Sequence, residues 1–217
     1  MPTIPQHGDA PNPGPGRPKD PEKRKAILQS AKSLFISNGY ANTSMDAIAS
    51  AAGVSKLTVY SHFTDKDTLF SAAVVARCEE QMPAALFTLA EGLSTETALL
   101  NIARAFQSLV NSPESLDLHR LMVTLGTQDP NISQIFFEAG PQRLIAEMES
   151  VLVQIDQNGS LRIEHPTRAA EHFLNMIKGV HNFRLLVGCA APADQDTAEE
   201  HVREVVMLFM RAYRPDA

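Results

Sequence analysis

At 217 residues and 44% hydrophobic composition, the chain is long enough for one or two domains around a sizeable core. It holds no apolar run near the roughly 18 residues of a membrane span, and its first residues lack the basic and apolar regions of a secretory leader, so a cytoplasmic protein is expected. The formal charge of −6 argues against nucleic acid on average, but residues 16–70 hold 8 Lys or Arg against 5 Asp or Glu (net +3) and residues 71–217 hold 11 against 19 (net −8). A small basic segment joined to an acidic remainder suits DNA binding at one end and a different task at the other.

Residues 1–21 contain seven of the fourteen prolines and almost no large apolar side chains, the composition of a disordered arm. The arm ends in Gly16-Arg17-Pro18-Lys19. Arg17 suits a DNA minor groove, and equally a solubilising tail; composition leaves both readings open. A first helix is expected from Pro21, which suits position N1, to about Ser37, burying Ile27, Ala31, Leu34 and Phe35 before Gly39 stops it.

Residues 43–66, TSMDAIASAAGVSKLTVYSHFTDK, are the most informative stretch. Thr43 with Asp46 three residues on is expected to cap a second helix, which buries Met45, Ile48, Ala49 and Ala52. Gly53 ends it, Val54 plugs the turn and Ser55 caps a third helix with Val59 and Phe63 inward. Lys56, Leu57, Thr58, Tyr60, Ser61 and His62 are left on its outer surface. This is the helix-turn-helix pattern, whose second helix enters the DNA major groove.

The string Val54-Ser55-Lys56-Leu57-Thr58-Val59-Tyr60-Ser61-His62-Phe63, followed by Lys66 and Leu69-Phe70, closely resembles the DNA-binding domain of the TetR family of ligand-responsive transcriptional regulators. The resemblance covers about residues 21–75. It implies that Lys56, Leu57 and Thr58 contact bases, with Leu57 suited to a thymine methyl. It further implies that Tyr60, His62 and Lys66 hold phosphates, while Ser55 opens the helix and Thr43 and Ser44 clamp the DNA backbone. Tyr60 has a second reading, as cover for the first helix.

Thr64-Asp65-Lys66-Asp67 opens a fourth helix that runs to about Pro83. A fifth spans about 95–111, burying Leu99, Ile102, Phe106 and Leu109 or Val110. Ser112-Pro113-Glu114 starts a sixth and Asp129-Pro130 a seventh, the latter interrupted by Gly140-Pro141 and ended near Gly159. An eighth begins at Pro166 and reaches about Val187; a ninth runs from about Thr197 to Tyr213. The fold class is therefore all-α with nine helices, divided into an arm (1–20), a helix-turn-helix domain (21–66) and a ligand-binding and dimerisation domain (67–217).

The last two helices carry more apolar surface than one core stripe requires. Ala169, Phe173, Met176, Val180, Phe183 and Val187 follow 4-3 spacing, as do Ala198, Val202, Val205, Phe209 and Ala212. Pairing with symmetry mates in a four-helix bundle would bury the excess, and the resemblance implies the same homodimer; a wholly intrachain core is the competing reading. A two-fold dimer calls for a near-palindromic DNA operator with half-sites about 34 Å apart.

For a small-molecule effector the candidate residues are Phe106, His119, Met122, Phe137, Phe173, Met176, Ile177 and His181, apolar groups mixed with a few polar ones; ordinary core explains the same pattern. The acidic balance of this part favours cationic or neutral effectors over anionic ones, although an inward-facing His119, Arg104 or His181 would accept a carboxylate. Cys78 and Cys189 lack disulfide or zinc-ligand spacing and read as small hydrophobes within helices. No catalytic motif, metal-ligand spacing or cofactor loop is present, so no catalytic residue, metal or cofactor is expected. The readings that compete with a DNA-binding repressor are an all-α enzyme or carrier with a cryptic site and a helical protein-interaction module.

Overall fold

The computed structural model describes residues 20–126 and 128–215, and among these every regular element is helical. Arg17 and the rest of the arm lie outside the described residues. The helices are α1 (Pro21–Asn42), α2 (Met45–Ala51), α3 (Lys56–His62), α4 (Lys66–Gln81), α5 (Thr95–Asn111) and α6 (Pro113–Leu125). The long α7 is built from Pro130–Phe137, a π-helical turn Glu138–Gln142 and Arg143–Gln157; α8 (Pro166–Leu186) and α9 (Gln195–Ala212) complete the set. A 3-10 turn at Ala84–Phe87, which carries no apolar period to announce it, links α4 to α5.

Helix starts follow local capping chemistry. Asp20, Ser55, Asp65, Ser94, Ser112, Asp129 and Asp194 each accept a hydrogen bond from a backbone N–H of the first turn, and Pro stands at the start of α1, α6, α7 and α8. At Gly39 (φ 78°) α1 is interrupted, and a last turn carries it on to Asn42, beyond the end expected near Ser37. Pro141 does not split α7. The missing N–H is absorbed by widening into the π turn, so the helical backbone continues without a break from Pro130 to Gln157.

Two apolar clusters hold the molecule together. The first joins α1 to α4, with Ile27, Phe35, Ile48, Val59, Leu69 and Phe70 deeply buried, and reaches Met122, Ile132 and Ala139 of α6 and α7. Phe35, Tyr40 and Phe70 meet there in edge and stacked contacts at 5.2–5.6 Å. The second joins α5, the later part of α7, α8 and α9 around Leu99, Ile102, Met148, Leu152, Phe173 and Phe209. Helix α4 belongs to both: its first half carries Leu69, Phe70, Ala73 and Val74 into the first cluster, while Cys78 and Met82 touch the second.

The apolar stripe of α8 does not run true along the helix. Gly179 adopts φ 57° and ψ −175°, a conformation that an L side chain rarely takes, and a Cβ there would meet the His201 ring at 3.1 Å. Before the break Ala169 and Phe173 are buried and Met176 partly so; after it Val180, Phe183 and Val187, the continuation of the same 4-3 series, are exposed. In α9 the expected seam of Val202, Val205 and Phe209 is intrachain core, and the exposed apolar side chains are instead Met207 and Leu208. Cys189 is not a buried helical residue but sits exposed beyond the end of α8.

Candidate nucleic-acid interface and ligand cavity

Between α2 and α3 the chain turns on Gly53 (φ 65°), whose N–H donates to the Ser50 carbonyl while Val54 N–H reaches the Ala49 carbonyl. Ser55 Oγ accepts from the Thr58 N–H at 3.1 Å and shares a hydroxyl contact with Thr58 Oγ1 at 2.8 Å. Burial of Val59 and Phe63 fixes the roll of α3 and turns Lys56, Leu57 and Tyr60 outward. Leu57 is 81% exposed, the largest exposure among the big apolar side chains of the described residues, which core formation does not explain.

Lys56 pairs with Asp46 of α2 at 2.8 Å, and the hydrogen bond to that carboxylate raises the lysine's pKa. Both groups are well exposed, so the pair contributes little to stability and opens readily toward a phosphate or base. His62 is half-buried beside the Phe63 ring.

Two of the expected DNA contacts are also engaged inside the fold. Thr43 neither caps α2 nor faces outward: it is 1% exposed, and its hydroxyl donates to the Gly39 carbonyl at 2.7 Å, with the Leu34 carbonyl also within reach at 3.0 Å. Those acceptors border the interruption at Gly39, so Thr43 bridges the end of α1. The cap of α2 is Ser44, exposed, with Oγ accepting from Ala47 N–H at 3.1 Å. Lys66 donates to the Tyr40 carbonyl at 2.9 Å and stands 4.1 Å from the Tyr40 ring centroid. Tyr40 in turn donates to the Asp67 carboxylate, and burial with that contact holds its phenol well above the usual range. No local sequence pattern marks Tyr40, because its partners Lys66 and Asp67 are 26 and 27 residues away in the chain.

Behind this domain lies a cavity of about 100 Å³, lined mostly by carbon. Its wall combines Val74, Arg77 and Cys78 of α4, Phe106 and Val110 of α5, Leu118 and His119 of α6, Phe136, Gly140 and Leu144 of α7, and Leu174, Asn175 and Lys178 of α8. Of the effector candidates it therefore gathers Phe106 and His119. The others are placed elsewhere: Phe173 stacks edge-on against Phe209 at 5.0 Å, Ile177 is fully buried and Met176 packs on the same cluster. Met122 belongs to the first cluster, Phe137 is exposed, and His181 is half-buried with Nε2 unpaired, off the cavity wall. A periodic apolar stripe shows that a helix is buried, not which neighbour it meets, and for Met122, Phe173, Met176 and Ile177 the neighbour is core.

His119 Nδ1 contacts the Ser115 carbonyl at 2.6 Å, and burial lowers the ring's pKa. Burial also pushes the Cys78 thiol up to about 11, so it stays protonated and inert at neutral pH. Among the described residues no three His, Cys, Asp or Glu side chains gather as a metal site, and no helix is long and apolar enough to cross a membrane.

The family model described as bacterial regulatory proteins, tetR family, matches residues 27–73, and that of the AefR-like transcriptional repressor C-terminal domain matches residues 97–215. A TetR-family transcriptional regulator from Mesorhizobium loti superposes with a TM-score of 0.76 at 30% identity, covering 90% of this chain and 98% of the other. The flavonoid-responsive regulator FrrA gives 0.73 at 28%, covering 91% of this chain and all of its own. The HTH-type regulator YdeS of Bacillus subtilis is 27% identical over 196 residues, 88% of this chain and 90% of its own. With both halves matched, and a helix-turn-helix exposed on the matched surface, the chain belongs to the TetR family: it is a DNA-binding transcriptional regulator and not an enzyme.

Proposed function

We propose that the protein is a cytoplasmic, homodimeric repressor released from a near-palindromic operator by a small-molecule effector. Residues 21–66 bind DNA and residues 67–217 bind effector and partner, with the 1–20 arm, Arg17 included, as an accessory to the DNA face. Lys56, Leu57 and Thr58 read bases, while Ser44, Ser55, Tyr60, His62 and Lys66 lie along the backbone path. Thr43 acts through the shape of the α1–α2 junction.

The observation that carries this reading is the double membership of α4. Its N-terminus, capped by Asp65, follows three residues after α3, and two turns later Val74, Arg77 and Cys78 wall the cavity. An occupant larger than the present space must push on α4 and so tilt α3. It releases DNA only by binding the tilted state more tightly, and couplings of this kind run to roughly 1–3 kcal/mol. The match to a repressor-type C-terminal domain supports repression. Exposed Val180, Phe183, Val187, Met207 and Leu208 on α8 and α9 support a two-fold partner.

Selection of binding sites from a random duplex library tests the proposal. The expected outcome is a near-palindrome whose half-sites lie one helical turn or a multiple apart; failure to enrich any sequence, or an asymmetric site bound by one protomer, would overturn it.

A further inference from the structure

The cavity wall is apolar apart from a few groups whose arrangement is one-sided. Arg77 spends its terminal nitrogen on Ser112 Oγ and Glu114, both at 3.0 Å, yet its Nε is buried without a partner. Lys178, one residue before the break in α8, is half-buried on the wall and forms neither a hydrogen bond nor an ion pair with the described residues. Glu171, two turns earlier on the same helix, also borders the cavity but is exposed, so water satisfies it. Asn175 between them donates to the Glu171 carbonyl at 2.9 Å, which leaves its side-chain oxygen free of that contact. His119 spends Nδ1 on Ser115, and its ring meets the edge of Phe136 at 5.5 Å.

Lys178 is partly withdrawn from water and forms no ion pair with the described residues, a state that costs free energy and that an anion brought to it relieves. The remaining wall, with Phe106, Leu118, Phe136, Leu144 and Leu174, offers only dispersion and apolar burial. Its volume, about 100 Å³, is of the order of the roughly 150 Å³ engineered cavity that holds a benzene ring.

Building on the effector-release reading above, we infer that the effector is a compact organic acid, a single aromatic ring or branched aliphatic body with one carboxylate, whose anionic group is held by Lys178 with Arg77 Nε alongside. Lys178 and the unpaired Arg77 Nε belong to residues of the same cavity wall, so a ligand there meets them ahead of the net negative charge of the surrounding domain, which water and salt screen beyond roughly 10 Å. The inferred acid departs from the cationic or neutral effector that the net charge of the domain favours.

The chain has no tryptophan, so Phe136→Trp places a single fluorophore on the cavity wall that reports any occupant whatever its charge. Benzoate, benzyl alcohol and benzylamine, of nearly equal size, are titrated into this variant and into the same protein carrying Lys178→Met or Lys178→Arg, with circular dichroism confirming the fold. Benzoate is expected to bind at least about tenfold more tightly than benzyl alcohol, with benzylamine weakest. Lys178→Met should erase that preference while leaving benzyl alcohol within about threefold, and Lys178→Arg should retain it. Equal or tighter binding of the alcohol or the amine, or benzoate affinity indifferent to Lys178→Met, would refute the acid while leaving the cavity intact as an effector site. Silence of the fluorophore toward all three at millimolar concentration would refute cavity occupancy itself, and the acid with it.

Discussion

On the proposed two-fold assembly, replacing Phe183 by Asp should give monomer without unfolding the protomer. Phe183 lies beyond the break at Gly179 and is 62% exposed in the isolated chain. A Phe side chain offers about 200 Å² to bury, so a partner can cover about 120 Å² of it, or about 3 kcal/mol at 25 cal/mol per Å². Two-fold symmetry counts that contribution twice, about 6 kcal/mol per dimer, which corresponds to roughly four orders of magnitude in the dissociation constant. This is an upper figure, because association also orders side chains, but the aspartate adds its own desolvation cost. Phe209, only 1% exposed and stacked on Phe173, provides the contrast: Phe209→Asp should unfold the domain. Sedimentation equilibrium across nanomolar to micromolar concentrations reads the first effect and circular dichroism the second. A Phe183→Asp protein that dimerises within tenfold of the parent, or a parent that is monomeric at micromolar concentration, would refute the reasoning.

Three further outcomes follow from named contacts. Thr43→Val keeps the shape but removes the hydroxyl that donates to the Gly39 carbonyl, and should destabilise by about 1–3 kcal/mol, a loss of several degrees in Tm by calorimetry. Leu57→Ala should leave Tm nearly unchanged, because the side chain is exposed, yet shift preference among operator variants by about 1 kcal/mol or more in fluorescence anisotropy. Glu199 braces α9 to α5 by accepting from Arg104 at 2.6 and 2.8 Å, and this contact first, then Arg203, pulls its pKa from 4.5 to about 2. A folded-state pKa below the unfolded one means the brace stabilises above pH 4.5 and is lost as pH falls toward 2, so the Tm gap between parent and Glu199→Gln should close across that window.

Much of the fold was legible because the signals were local. Ser112-Pro113 and Asp129-Pro130 are complete helix starts in two residues, and the structure begins α6 and α7 there. The helix-turn-helix was equally plain, since Gly53, Ser55, Val59 and Phe63 each perform a task decided within ten residues. Three features were hidden for physical reasons. Gly179 looks like a helix-tolerated glycine, and only the approach of His201 from α9 gives its break a setting, so the stripe from Phe173 to Phe183 read as one face. Thr43 looked like a cap because capping and bridging two carbonyls use the same hydroxyl, and only the end of α1 packed against it decides that Ser44 takes the cap instead. The cavity is assembled from five helices, and no periodicity within one helix states which of its faces meets a void. Lys178, a single cation between Ile177 and Gly179 in an apolar run, was the one available hint of its chemistry.

The most direct test of the link between cavity and DNA is a wedge placed where the effector would push. Gly140 stands on the cavity wall with helical backbone, and a Cβ there would meet Val74 Cγ1 of α4 at 3.2 Å and Cys78 Sγ at 3.8 Å. In Gly140→Val the β-branched side chain is stiff and cannot swing clear of α4. Operator affinity is measured by anisotropy on the selected duplex, with Tm confirming the fold. The variant should fold and bind its operator about tenfold or more weakly than the parent, as if occupied by effector. A folded Gly140→Val protein that binds the operator as tightly as the parent would contradict transmission through α4.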